Sequence, residues 1–213
     1  MIKKLSALLL LLLVNPVFAQ DKVEGRVEGT LDDKAELKQR IKQLTTFEAS
    51  FSQRVVDSDG REIMQGKGKV HLSHPSLIRW HAIEPDENLL VSDGKTLWVY
   101  NVDLEEATAI SAKEAIDSTP FALLASSDDA LWRNYNVSKQ DDAYVISPVE
   151  QQGQVKQLSL YFKDQQFSRL IIEDLSKQTS EFTFIKPVSN QTLDKKLFTF
   201  TLPEGVELDD QRQ

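Results

Sequence analysis

The chain has 213 residues, a formal charge of −8 and no cysteine. Without cysteine it forms no disulfide, offers no catalytic thiol or thiolate metal ligand, and lacks the residue to which a bacterial lipoprotein anchor attaches. So acidic a surface repels phosphate backbones and anionic leaflets, which argues against nucleic-acid binding and against a polybasic membrane tether.

The first residues predict a cleavable secretory leader. Lys3 and Lys4 form a positive start, Leu5 to Val14 an apolar core, and Val17-Phe18-Ala19 a small-residue cleavage site. The apolar run is shorter than the roughly 20 residues that a helix needs to span a bilayer. Cleavage after Ala19 assigns residues 1–19 to the leader, leaves 194 residues as one domain at 20–213, and takes the charge to −10. The expected product is exported and released.

Thr30 to Leu44 predicts an amphipathic helix, with Leu37, Ile41 and Leu44 at helical spacing and Thr30 and Asp33 in capping-box positions. From Phe47 the period changes to two: Phe47, Ala49, Phe51, Gln53 and Val55 share one strand face. Asp57-Ser58-Asp59-Gly60 closes a hairpin, and the return strand, Ile63 to Leu72, carries Gly66 and Gly68, a spacing that marks a bend or a close approach. Short strands follow at Leu77 to Ile83, Asn88 to Asp93, Thr96 to Tyr100 and Glu105 to Ile110.

A helical insert interrupts this meander. Ala112 to Ile116 is helix-like, and Thr119-Pro120 sets a helix start before Phe121, Leu123 and Leu124. Strands resume at Tyr135 to Ser138, Ala143 to Ser147, Gln154 to Lys163, Phe167 to Glu173, Ser180 to Lys186 and Phe198 to Leu202. The expected fold is mainly β: an unclosed, strongly curled antiparallel half-barrel of about eleven strands, its concave face covered by about three short helices. Such a sheet encloses either a packed core or a ligand cavity, and periodicity does not distinguish the two.

Nothing in the sequence converges on catalysis. His71, His74 and His81 form no zinc-protease motif, and there is no Gly-x-Ser-x-Gly elbow or phosphate-cradling glycine loop. Glu105 and Glu106 are strand neighbours and point to opposite faces, so they make no two-carboxylate site. No cofactor is expected. The large apolar side chains Phe47, Phe51, Val55, Trp80, Leu90, Trp98, Phe121 and Leu124, with Ile41 on the helix, belong to elements that surround the concave side, as core or as cavity wall. Ile78, two residues from Trp80, shares its sheet face.

From Leu37-Lys38 to the tail, the chain resembles the outer-membrane lipoprotein carrier family, LolA. The resemblance rests on Phe47-Glu48-Ala49-Ser50-Phe51-Ser52-Gln53, Arg79-Trp80-His81 with Pro85-Asp86-Glu87, Leu90 to Asn101, Thr119-Pro120-Phe121, and the ending Phe198-Thr199-Phe200 with Pro203, Gly205, Val206 and Asp209 to Arg212. It implies a monomeric periplasmic carrier that is not an enzyme and holds the acyl chains of lipoproteins in an apolar cavity. Cargo would come from an ATP-driven (ABC-type) inner-membrane release complex and pass to an outer-membrane receptor of similar fold. That receptor is itself a lipoprotein, so the missing cysteine separates this chain from it. On matching positions Val55, Trp80 and Leu90 resemble cavity lining, and Ile41, Phe121 and Leu124 resemble the inner face of a lid, with Leu44 one turn on from Ile41.

One position departs from the family pattern. In family members an arginine precedes the proline corresponding to Pro75 and latches the lid by bonding helix carbonyls; here that residue is His74. A neutral imidazole offers one N–H where guanidinium offers five, so a weaker or pH-dependent latch is expected. Two other classes stay open: a periplasmic lipid or lipoprotein sensor of the same fold, which usually adds a second domain, and an exported hydrolase.

Overall fold

A computed structural model of the protein describes residues 30–112, 115, 130–151 and 153–212. The chain enters through helix α1 (Leu31–Gln43). Thr30 caps it: the Asp33 amide donates to Thr30 Oγ1 at 3.0 Å, and Asp33 Oδ2 accepts from the Thr30 amide at 3.5 Å. Asp32 and Asp33 lie in the first turn and Arg40 and Lys42 in the last, each sign suited to its end of the helix dipole.

Among the described residues twelve strands follow: β1 (Thr46–Val56), β2 (Glu62–Ser73), β3 (Leu77–Glu84), β4 (Asn88–Asp93), β5 (Thr96–Asn101), β6 (Glu106–Ser111), β7 (Tyr135–Gln140), β8 (Ala143–Pro148), β9 (Val155–Lys163), β10 (Gln166–Asp174), β11 (Thr179–Ser189) and β12 (Glu207–Asp210). They form one sheet in the order β12-β6-β5-β4-β3-β2-β1-β11-β10-β9-β8-β7. β1 is its spine, paired with β2 on one side and with β11 on the other. The edge strands β7 and β12 do not pair with each other, so the sheet is unclosed. Its curl shows in the core, where Leu90, Leu97 and Ile110 of one wing belong to the same buried cluster as Tyr135, Val137 and Ile146 of the other.

The hairpin between β1 and β2 closes as its sequence predicts. Asp57 Oδ1 accepts from the amides of Asp59 and Arg61, both at 2.9 Å, and Gly60 takes φ +78°. The glycine pair on β2 marks a close approach: a β-carbon on Gly68 would stand 2.2 Å from the carbonyl oxygen of His81 and 2.5 Å from the ring of Phe51.

Two expectations are corrected. Phe198 to Leu202 is not a strand: it begins inside a 3-10 helix (Lys195–Phe198) and continues unpaired, and the last strand lies further on, at Glu207–Asp210. The alternation of Phe198, Phe200 and Leu202 with threonines reflects a segment lying half-buried against the sheet, which needs no ladder of its own. The sheet is also not wholly antiparallel, because β12 runs parallel to β6. Of the expected helices, α1 is present, whereas Phe121, Leu124 and the start at Thr119-Pro120 lie outside the described residues. A second 3-10 helix (Leu131–Asn134) leads into β7.

Candidate functional site: the inner face of the sheet

Alternation along β1 sends Phe47, Ala49, Phe51, Gln53 and Val55 to one face, all buried, while Glu48, Ser50, Ser52 and Arg54 face the other way. Register then assembles the inner face across strands. Phe51 lies opposite Gly68 on β2 and Phe184 on β11; Val70 lies opposite Trp80, and Trp80 opposite Leu90. Phe47, Phe51, Ile78, Trp80 and Leu90 therefore share one buried cluster with Ile41 and Leu37 of α1. Val55 is fully buried on the same face, at the end of β1 between Ser180 and Met64.

Aromatic rings line this face in two groups. Phe51, Trp80 and Phe182 meet at centroid distances of 4.5, 4.9 and 5.6 Å. Phe47, Phe167 and Phe184 meet at 4.8, 5.3 and 5.6 Å, extended through Phe162 to Tyr144. Phe167, Phe182 and Phe184 escaped selection from sequence. The alternation Phe182-Thr183-Phe184 marked an inner-face pair, but only the β1–β11 pairing, across more than 120 residues, brings those rings to Phe47 and Phe51.

Trp98 is not on this face. It pairs with Val91, one residue out of phase with the inward Leu90–Val99 pair, and so points outward. There it stacks on Phe200 at 5.2 Å, with the Arg212 guanidinium 5.0 Å from its ring centre. The C-terminal segment thus covers an outer apolar patch that includes the fully buried Val91 and the buried Phe198. Trp98 belongs to this clasp, which corrects its assignment to the acyl-chain cavity.

Helix α1 lies against β7, Leu37 and Ile41 turned inward and Leu44 packed at the margin of the cluster. A polar fringe fixes it. Lys139 Nζ reaches Glu36 at 2.9 Å, the Lys139 amide donates to Asp33 at 3.2 Å, Lys34 donates to the Trp132 carbonyl at 2.9 Å, and Arg40 bridges Glu36 and Gln165. The Tyr144 hydroxyl and the Lys139 ammonium beside Glu36 hold its carboxyl down at about 2. The Lys139 contact is the firm one, since among the described residues the buried Tyr144 oxygen has no hydrogen-bond partner. Burial raises the Tyr144 phenol in turn.

His74 follows β2 at the end of the inner face nearest the α1–β1 junction, and its amide donates to the Thr45 carbonyl at 2.9 Å. Among the described residues, no group of three or more His, Cys, Asp or Glu side chains is placed to hold a metal, and no helix is long and apolar enough to cross a membrane.

A face of this kind offers apolar area and little else, so it suits a ligand that is itself apolar. Comparison with known proteins bears on which. The protein is 39% identical over 181 residues to the outer-membrane lipoprotein carrier protein of Shewanella loihica, covering 85% of this chain and 87% of that one. It is 39% identical over 215 residues to the protein of the same name from Pseudoalteromonas translucida, covering 98% of each. Among solved structures, a LolA superfamily protein from Nitrosomonas europaea superposes with a TM-score of 0.49 at 12% identity, over 79% of this chain and 98% of that one. The profile of the outer membrane lipoprotein carrier protein LolA matches residues 42–201, the span that holds every described strand except β12, and the chain belongs to that family.

Proposed function

We propose that the protein is a periplasmic carrier that shields the acyl chains of lipoproteins against the inner face of its sheet and hands them on toward the outer membrane. The observation that carries the reading is one continuous aromatic and aliphatic face under a separately fastened helix, in a chain with no cysteine to anchor itself. Family membership supports it. Phe47, Phe51, Val55, Ile78, Trp80 and Leu90 form the acyl-binding wall, and Ile41 and Leu44 belong to the cover, joined by Phe121 and Leu124 of the insert.

Each buried CH₂ of a lipid anchor is worth about 0.8 kcal/mol, so a multiply acylated protein does not leave a bilayer unaided. Extraction therefore needs an energy source outside this chain, an ATP-driven complex in the inner membrane, and transit needs an apolar refuge. The ring pairs on the wall are each worth about 0.5–1.5 kcal/mol. An entering chain replaces ring–ring contacts with ring–methylene contacts, so loading and unloading stay nearly balanced, as transfer to a receptor requires. The carrier performs no covalent step. His74 stands at the position of the family's latch arginine, and we assign the latch role to it.

Purified mature protein added to spheroplasts tests the proposal. Lipoproteins should appear in the supernatant as soluble one-to-one complexes. Retention of every lipoprotein in the membrane, with the release machinery active on a known carrier, defeats it.

A further inference from the structure

The outer face carries a cleft of about 370 Å³ between β1, β2 and β11, walled by Glu48, Ser50, Lys69, His71, Ile185 and Lys186. It opens where the β1–β11 register shifts: Glu48 pairs with Val188 and Ser50 with Ile185, which leaves Lys186 and Pro187 unpaired. Lys186 takes φ +50°, a left-handed conformation that costs a residue with a side chain about 1–3 kcal/mol.

The charges around this cleft are unbalanced. Neighbouring cations on the same face are neutralised, Arg54 by Glu62 at 2.8 Å, Lys67 by Glu84 at 2.6 Å and Arg169 by Glu181 at 3.1 Å. Lys69 and Lys186 form no ion pair or side-chain hydrogen bond among the described residues. Among the described residues, Glu48 is the one acid on the wall. From β3, Arg79 stands opposite His71 and donates to the Leu197 carbonyl at 3.3 Å, while His81 stands opposite Lys69 and lies 2.7 Å from Glu87. His71 Nδ1 is buried and has no hydrogen-bond partner among the described residues. Burial holds the His71 imidazole neutral, Glu48 opposing and Arg79, Lys69 and His81 reinforcing the effect.

We propose that this cleft is a binding site for a phosphate group, either free phosphate or the ester of a lipid headgroup, with Lys69, Lys186 and His71 as its donors. Two lysines without an ion-pair partner against one carboxylate leave the cleft net positive, which disfavours a metal ion and suits an anion. A tetrahedral acceptor meets donors from β2 on one side and β11 on the other, as the two lysines stand. The volume exceeds what one inorganic anion needs, and the half-exposed Ile185 gives the organic part of an ester an apolar wall. Bound phosphate favours protonated His71, so binding tightens as pH falls through the titration of that imidazole. The site lies on the opposite face from the acyl-binding wall, and its existence does not depend on the carrier reading.

The test follows the His71 ring resonances of the mature protein by NMR while inorganic phosphate is titrated against chloride at matched ionic strength. Saturable shifts are expected, with the imidazole pKa rising by about one unit. The double variant Lys69→Gln/Lys186→Gln should bind about tenfold or more weakly, and Lys67→Gln, which removes a paired lysine, should match the parent. Flotation with phosphatidylcholine vesicles, with and without phosphatidylglycerol, separates the sources. Phosphatidylglycerol-dependent flotation that the double variant loses assigns a lipid headgroup; saturation without flotation assigns free phosphate. Absence of both responses, or equal loss in Lys67→Gln and the double variant, overturns the proposal.

Discussion

The ring of Phe51 lies directly over Gly68 on the neighbouring strand, with Cζ only 2.5 Å from where a β-carbon would stand. The second obstacle at that point, the His81 carbonyl oxygen, belongs to the backbone of β3 and has no rotamer to change. Gly68→Ala should therefore destabilise the protein by about 1–3 kcal/mol, the usual range for overpacking. Urea denaturation measures it; Gly60→Ala, whose β-carbon would meet open space, separates crowding from the cost of its positive φ.

Trp80 and Trp98 lie on opposite faces, and fluorescence can tell them apart. In variants that retain one tryptophan each, a lipoprotein or lipopeptide with brominated acyl chains should quench Trp80 and leave Trp98 unaffected. Quenching of Trp98 alone would relocate the acyl-binding wall.

The Glu36–Lys139 contact fastens α1 to β7, and its pH dependence has a definite sign. The Glu36 carboxyl titrates at about 2 when folded, below its ordinary value near 4.5. Its contribution is therefore present above about pH 4.5 and is lost as the pH falls toward 2. Both side chains are more than a third exposed, which limits the contribution to about 0.2–1 kcal/mol. Glu36→Gln should flatten the stability profile between pH 4.5 and 2 and leave the slope from pH 5 to 8 as it was.

The proposed latch at His74 gives a pH dependence of its own sign. Spin labels on α1 and at residue 121 should separate as the pH rises, because a neutral imidazole offers fewer donors than a charged one. His74→Arg should remove that dependence, since guanidinium stays charged throughout. An identical profile in His74→Ala would strip His74 of the role.

Period was the legible part of the sequence. Strict alternation in β1 identified Phe47, Phe51 and Val55 as inward, and Thr30 with Asp33 placed the start of α1 to within a residue. Phase was harder to read where both faces are apolar. In β5, Leu97 and Val99 line the core while Trp98 and Tyr100 meet Phe200, so the largest residue misled. The parallel placement of β12 could not be read at all, because four exposed residues carry no apolar pattern and their pairing depends on where the preceding segment lies. The outer cleft was invisible for a related reason: Lys69, His71 and Lys186 become neighbours only through a long-range pairing with a register shift.

The seam between β1 and β11 has a bearing on how the molecule comes to exist. Residues 46–56 wait for residues 179–189, while every other antiparallel pairing joins strands consecutive along the chain. Each meander can begin to form as soon as it emerges from the ribosome, but the spine keeps a bare edge until nearly the whole polypeptide has been made. Zipping that edge is the step of highest contact order, the kind of pairing whose loop-closure cost slows folding. A nascent chain with its longest-range ladder unmade is also one that can still be threaded through a narrow pore.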